Sequence, residues 1–240
     1  SFTCEMAQRG CGPWSNRQFV ERLDNLGIVR SAGVSLAHTR FGAAMPRQRL
    51  AEALQAYSQL VWDPHLPVDQ VEESRQVCSH DIHSIQDAPA QQLMQALRKQ
   101  YYPEPLGRSS QGTLAGVEAI GHSEVSQFYQ SHYHPDGSIL AVAGNIEWPE
   151  LLEEVGGLLE GWQGPADDCP EPAEATGEDL HIPHPSSQTH IGIAFDAIPY
   201  SHPDYFQLRG AIGVLSDGMS SRLFTEVREN RGLCYAVQAS

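Results

Sequence analysis

Arg228 and Tyr235 form a candidate pair of functional side chains, seven residues apart in the segment RENRGLCY. A guanidinium group and a phenolic hydroxyl can both donate hydrogen bonds to a carbonyl oxygen that gains negative charge during a reaction. The alternative interpretation is structural. In that case Arg228 forms a surface ion pair with Glu226 or Glu229, and Tyr235 packs into the core from a strand.

Two histidines provide a second candidate, because His80 and His83 are three residues apart on a predicted helix with Asp81 between them. Imidazole and carboxylate groups at helical spacing can bind a metal ion. No further histidine lies nearby in the sequence, so exposed polar residues on one helix face are the favoured interpretation. The chain has neither a Gly-x-Ser-x-Gly motif nor a glycine-rich phosphate loop, and nothing indicates serine-hydrolase or nucleotide chemistry.

The composition excludes several classes of protein. Apolar residues make up 40% of the 240 residues, which is enough for a sizeable core and excludes a disordered or collagen-like chain. The net charge of −15 repels phosphate and anionic lipid, so we predict neither a nucleic-acid nor a membrane partner. No apolar run approaches the roughly 18 residues that would indicate a membrane-spanning helix.

The cysteines give an indication of the compartment. There are five, they are scattered, and they contain no Cys-x-x-Cys pair. This pattern argues against a disulfide framework and against a structural zinc site. It favours a reducing, cytoplasmic compartment.

The spacing of apolar residues predicts an alternation of helices with a few strands. Helices are expected over 15–26, 47–62, 68–85, 90–99, 113–119, 123–132, 148–159, 205–215 and 219–230. Runs that alternate or are rich in β-branched residues predict a strand or hairpin over 28–44 and strands over 138–143, 190–197 and 233–239.

A stretch rich in proline and acidic residues predicts a domain boundary. Residues 163–186 contain five prolines and six acidic residues with little to bury, which is typical of a semi-rigid linker. We therefore predict an N-terminal domain over 1–162, a linker over 163–186 and a second domain over 187–240. The last segment has too few residues for an independent core, so the second domain is expected to be partial, and the first is expected to lack one or more strands at its start.

Several segments together resemble the M16 zinc-peptidase family, which includes pitrilysin, insulin-degrading enzyme and the mitochondrial processing peptidase. The resemblance covers most of the chain, and its most specific part is GMSSRLFTEVRENRGLCYAV at 218–237. It implies an α+β fold with an antiparallel-rich sheet packed on helices, followed by the start of a second similar domain. It also implies that two such halves, joined by a linker, enclose a chamber. The other segments are PLGR at 105–108, FY at 128–129, YHPD at 133–136 and AVAGNI at 141–146.

The resemblance also implies where a zinc site would lie. The family motif is His-x-x-Glu-His on a helix, followed by a later glutamate, and in this chain its first three positions fall on Ser1, Cys4 and Glu5. All three identities differ from the motif. The later glutamate falls on Asp81, and a second acidic position falls on Ser74. A hydroxyl and a carboxylate on one helix face are a poor zinc site, so we expect no bound zinc and no catalytic residue in this chain.

The resemblance assigns Arg228 and Tyr235 to substrate binding and to stabilisation of the oxyanion. The predicted function is therefore that of a non-catalytic M16 homologue, which supplies this pair to a zinc-carrying M16 partner or works as a homodimer on peptide substrates. One alternative is an active zinc endopeptidase with a rearranged site around Glu5, Asp81 and His80 or His83. The other is a structural assembly protein like the core subunits of respiratory complexes.

Overall fold

The structure, a computed structural model, describes residues 1–102, 104–164 and 179–240. The chain divides into two compact units, Ser1–Gly192 and Ile193–Ser240. Residues 165–178 of the predicted linker lie outside the described residues, and the described remainder of the linker forms no helix or strand. The division into domains at 163–186 stays a prediction.

The first unit begins with the short helix that the resemblance implies, α1 (Phe2–Ala7). Two short strands, β1 (Gly10–Cys11) and β2 (Trp14–Ser15), pair antiparallel and lead into α2 (Asn16–Asn25). Ser15 and Gln18 form a capping box at the start of α2, in which each side chain bonds the other residue's backbone N–H. Such a cap contributes about 1 kcal/mol, and it begins the helix where the sequence predicts.

The predicted strand or hairpin over 28–44 is a hairpin. Strands β3 (Val29–Val34) and β4 (Thr39–Ala44) pair antiparallel, with Val29 opposite Ala44. The hydroxyl of Tyr57 donates a hydrogen bond to the carbonyl oxygen of Gly42 at 3.0 Å. This bond attaches the hairpin to the helix that follows it.

The helices predicted between the hairpin and the linker are confirmed, with shifts of a few residues at their ends. Short 3₁₀ turns at Arg47–Arg49 and Val68–Gln70 open two of them. Each prediction followed from local apolar spacing, which is the most reliable signal for a helix. The helices are α3 (Leu50–Trp62), α4 (Val71–Gln86), α5 (Pro89–Tyr101), α6 (Leu114–Ala119), α7 (His122–His132) and α8 (Trp148–Leu159).

The core of the first unit includes the place where α1 packs against α4 and α7. Met6 on α1 and Val125 on α7 are fully buried, and Phe2, Cys78 and Ile82 are nearly so. Burial of one large apolar side chain contributes about 1.5–3 kcal/mol. Apolar contacts of this kind therefore hold α1 in place.

Arg75 on α4 contacts two other helices, α6 and α1. Its guanidinium group donates hydrogen bonds to the carbonyl oxygens of Val117, Glu118 and Ile120 at the C-terminal end of α6. Its Cζ atom also lies 5.4 Å from the ring centroid of Phe2 on α1. The last carbonyl groups of a helix have no partner within the helix, so Arg75 satisfies groups that would otherwise be unpaired.

The second unit contains α9 (Tyr205–Ser216), as predicted, and a π-helix at Phe224–Glu229. The helix predicted over 219–230 is thus confirmed in part. The N–H of Asn230 donates to the carbonyl oxygen of Thr225 at 2.8 Å, which is the five-residue spacing of a π-helix.

The strands predicted over 138–143, 190–197 and 233–239 are wrong, because the structure places all three segments outside any strand. A strand needs a neighbouring strand to pair with its backbone groups. Among the described residues no strand pairs with these segments. Their apolar side chains are exposed instead, as shown by Ile139 at 92% and Phe195 at 80%.

Candidate functional site

The positions of the zinc motif lie at the contact between α1 and α4. Ser1 occupies the N-cap position of α1, but its hydroxyl does not cap the helix and donates a hydrogen bond to the carbonyl oxygen of Gln111 at 3.3 Å. Cys4 is buried on α1, and Cys78 is buried on α4 beside the Ser1 hydroxyl. The structure therefore places two thiols and one hydroxyl near the location that the family motif specifies.

The carboxylate of Glu5 already pairs with Arg9, which lies two residues beyond the end of α1. The guanidinium group of Arg9 contacts one carboxylate oxygen of Glu5 through both Nε, at 3.1 Å, and Nη2, at 2.6 Å. Both side chains are largely buried. A carboxylate that is held by a cation in this way is a poor ligand for a second cation.

The residues of α4 do not converge on Glu5 as a ligand set. Asp81, His80 and His83 are all exposed, and the Nδ1 atom of His83 lies 3.2 Å from the side-chain oxygen of Gln86. Ser74 is fully buried, and its hydroxyl has no hydrogen-bond partner among the described residues. Over residues 1–102, 104–164 and 179–240, no three His, Cys, Asp or Glu side chains are arranged to hold a metal ion.

The two thiols are protonated at neutral pH. Burial raises the pKa of Cys4 to about 11, and burial also raises the pKa of Cys78. Only the thiolate is a good metal ligand, so a high pKa opposes metal binding. The groups at this location are a hydroxyl, two protonated thiols and a carboxylate that is paired with Arg9. This set does not fit the zinc ion that the family uses.

The sequence analysis did not identify Cys78 as a residue close to the positions of the zinc motif. Its position carried a usable signal, because Ser74, Cys78 and Ile82 follow one another at four-residue spacing and form the buried face of α4. A residue one helical turn after Ser74 is therefore expected on the same buried face of the helix.

Arg228 and Tyr235 are brought together in the second unit. The Cζ atom of Arg228 lies 5.5 Å from the ring centroid of Tyr235 and 4.5 Å from that of Phe224. Its Nε atom lies 3.6 Å from a carboxylate oxygen of Glu229. Both distances to the rings fall within the range of a cation–π interaction.

A chain reversal after the π-helix makes this contact. The N–H of Gly232 donates to the carbonyl oxygen of Arg228, and the N–H of Leu233 donates to that of Val227, both at 3.0 Å. Gly232 has a φ of +60°, a conformation that glycine adopts without strain. Residues after Gly232 therefore fold back toward Arg228.

The structural alternative for this pair is half right. Arg228 does form an ion pair with Glu229, but Tyr235 is 84% exposed and lies outside any strand, so it is not a core tyrosine. An exposed phenol beside a half-exposed guanidinium can meet a ligand from solvent. This arrangement can donate hydrogen bonds to a carbonyl or carboxylate oxygen.

Two family models match consecutive parts of the chain. The Peptidase M16 inactive domain matches residues 119–240, and Insulinase (Peptidase family M16) matches residues 2–114. This chain belongs to the M16 peptidase family. The resemblance predicted from the sequence is confirmed, and the α+β fold agrees with it.

Curated relatives of this M16 chain are described as zinc proteases. It is 27% identical to the "Uncharacterized zinc protease YmxG" of Bacillus subtilis over 239 residues, and 24% identical to an "Uncharacterized zinc protease" of Rickettsia bellii over 238 residues. Each match covers 98% of this chain and 58% of the relative. The chain therefore spans a little over half the length of these relatives.

Solved M16 structures share the fold. The peptidase M16 inactive domain from Pseudomonas fluorescens superposes with a TM-score of 0.78 at 20% identity, covering 98% of this chain and 58% of that one. A protease from Helicobacter pylori gives 0.79 at 16% identity, covering 100% and 60%. Pitrilysin gives 0.60 at 16% identity, covering 74% and 20%.

None of the described helices is both long enough and apolar enough to cross a membrane.

Proposed function

We propose that this M16 chain is a non-catalytic member of its family, which supplies Arg228 and Tyr235 to a peptidase whose zinc is held by a partner subunit. The observation that carries the proposal is the juxtaposition of Arg228 and the exposed Tyr235, with 5.5 Å between guanidinium carbon and ring centroid. The pair can donate hydrogen bonds to the carbonyl oxygens of a bound peptide and to the oxyanion that forms when one of them is attacked.

The positions of the zinc motif support the non-catalytic part of the proposal. Ser1 and the protonated thiol of Cys4 replace two motif residues, and Glu5 is occupied by Arg9. Among residues 1–102, 104–164 and 179–240, no carboxylate at that location is then free to activate a water molecule. The description of the Pseudomonas relative as an inactive domain is consistent with such a role.

The first experiment measures zinc and activity on the full-length protein, purified without a histidine tag. We expect zinc near zero per chain by elemental mass spectrometry, and no cleavage of a quenched fluorescent peptide by the protein alone. Cleavage is expected when an M16 protein with an intact His-x-x-Glu-His motif is added. Zinc near one per chain, lost in the Glu5→Ala/Asp81→Ala variant, would overturn the proposal in favour of a rearranged active site.

The second experiment tests the role of Arg228 in that mixture. Arg228→Ala is expected to lower kcat/KM by about 100- to 1,000-fold, the effect of removing one oxyanion donor. Arg222→Ala is the matched control, because Arg222 is exposed on the same segment, and it should stay within twofold. If Arg228→Ala also stayed within twofold, this chain would be a structural subunit.

A further inference from the structure

The ring of Phe224 is the nearer of the two aromatic rings that flank the guanidinium group of Arg228. Its centroid lies 4.5 Å from the Arg228 Cζ atom, against 5.5 Å for Tyr235. Phe224 and Arg228 are four residues apart on the π-helix, so the backbone holds both side chains on one side. The contact therefore depends on the π-helix and not on a flexible loop.

The two rings differ in how firmly they are held. Phe224 is half-buried, whereas Tyr235 is 84% exposed. A half-buried ring loses little further freedom when it serves as a support, and an exposed phenol is free to turn toward a ligand. Phe224 is thus the fixed surface against which Arg228 rests.

Arg228 also has a competing neighbour. Its Nε atom lies 3.6 Å from the carboxylate of Glu229, while its Nη atoms make no hydrogen bond to another described residue. Without the ring, the guanidinium group could turn toward Glu229 and place its remaining donors on that carboxylate. The contact with the ring at 4.5 Å opposes this turn, so the Nη donors stay available to a ligand.

We propose that Phe224 is a positioning residue, which holds the Arg228 guanidinium group so that its Nη donors face a bound peptide. This inference rests on the proposed function for its kinetic consequence, but the positioning can be measured without any activity. Phe224 itself touches no substrate, so its effect passes through Arg228.

The positioning is tested by NMR on the isotope-labelled full-length protein. The Arg228 Nε–Hε signal, assigned by its loss in Arg228→Lys, should carry an upfield ring-current shift. Phe224→Leu should remove most of that shift, and Phe224→Tyr, which keeps the ring, should preserve it. Phe206→Leu is the control, because Phe206 is an exposed phenylalanine of the same unit that lies in another aromatic cluster. An unchanged signal in Phe224→Leu would overturn the proposal.

The consequence for activity is tested in the mixture with the zinc-carrying partner. A cation–π contact at an exposed site contributes about 0.5–1 kcal/mol, so Phe224→Leu should lower kcat/KM about two- to fivefold. Phe224→Tyr should restore the rate, and Phe206→Leu should not change it. If Phe224→Leu fails to fold, Phe224→Met gives the same test with an unbranched side chain.

The outcomes separate the two proposals. If Arg228→Ala abolishes activity but Phe224→Leu leaves it unchanged, the positioning role is wrong and the proposed function stands. An equal loss in Phe224→Leu and Phe224→Tyr would show a packing role and would also overturn the positioning role. If Arg228→Ala has no effect on activity, the proposed function fails, and the NMR signal alone decides whether Phe224 positions Arg228.

Discussion

Two regions of the molecule differ in what their side chains can bind. One is the contact between α1 and α4, and the other is the Arg228–Tyr235 pair. At the first, a helix stands in the place of the family's zinc motif, but among the described residues no three His, Cys, Asp or Glu side chains are arranged to hold a metal ion. At the second, a half-exposed guanidinium group and an exposed phenol lie side by side, and both can donate hydrogen bonds. The difference shows that α1 does not need a metal ion to stay in place, because apolar burial and Arg75 hold it there.

This comparison predicts that substitutions in the first region change stability and leave activity unchanged, and that substitutions in the second do the reverse. The Arg75→Ala variant should give the largest effect. It leaves carbonyl groups of α6 unpaired and removes the contact with Phe2, so the free energy of unfolding should fall by about 2–4 kcal/mol. Urea unfolding of the full-length protein measures this change.

The control for that prediction is Arg17→Ala. Arg17 is exposed and pairs only with Glu21, so its loss should change the free energy of unfolding by less than about 0.5 kcal/mol. A change below about 1 kcal/mol in Arg75→Ala would contradict the role of Arg75 as the link between the helices. Another interaction would then have to account for the position of α1.

The next effect is a loss of stability at alkaline pH, which follows from the buried thiol of Cys11. Burial raises its pKa from 9.0 to about 12, so between these values the folded protein holds a proton that the unfolded chain releases. The stabilisation is complete below about pH 9 and is lost as the pH rises toward 12. Its slope approaches about 1.4 kcal/mol per pH unit for each such group.

Urea unfolding between pH 8 and 10.5 measures that slope. Cys11→Ala should make it shallower, because the buried thiol that holds the proton is then absent. An identical slope in Cys11→Ala and the parent protein would mean that the thiol is accessible to solvent in the folded state. The core around β1 would then be less tightly packed than the burial of Cys11 indicates.

The smallest effect is expected from Tyr235→Phe, and it should appear in activity alone. Removal of the hydroxyl should lower kcat/KM of the reconstituted peptidase by about tenfold, less than in Arg228→Ala, because a neutral donor binds an oxygen atom less strongly than a charged one. The free energy of unfolding should not change, since the side chain is 84% exposed. Tyr200→Phe, a change of another exposed tyrosine in the same unit, is the control. A loss of stability with normal activity would show that Tyr235 has a structural role and does not act in substrate binding.

The sequence predicted the helices well and the strands poorly. The apolar spacing that predicted the helix at 47–62 is local, and the structure has α3 at Leu50–Trp62. The alternation at 138–143 is also local, but a strand forms only when another segment supplies its partner. The hairpin was predicted because its two strands are neighbours in the chain, which makes their pairing a local event.

For the candidate site, residue types in the chain were sufficient to show that the donor set at Ser1, Cys4 and Glu5 is unlike a zinc site, since ligand chemistry belongs to the side chain. Only the tertiary structure brought Cys78 against Ser1 and placed Arg228 beside Tyr235. The reason is that helix packing and the chain reversal at Gly232 decide which distant side chains meet, and neither is encoded in the spacing of residues along one element.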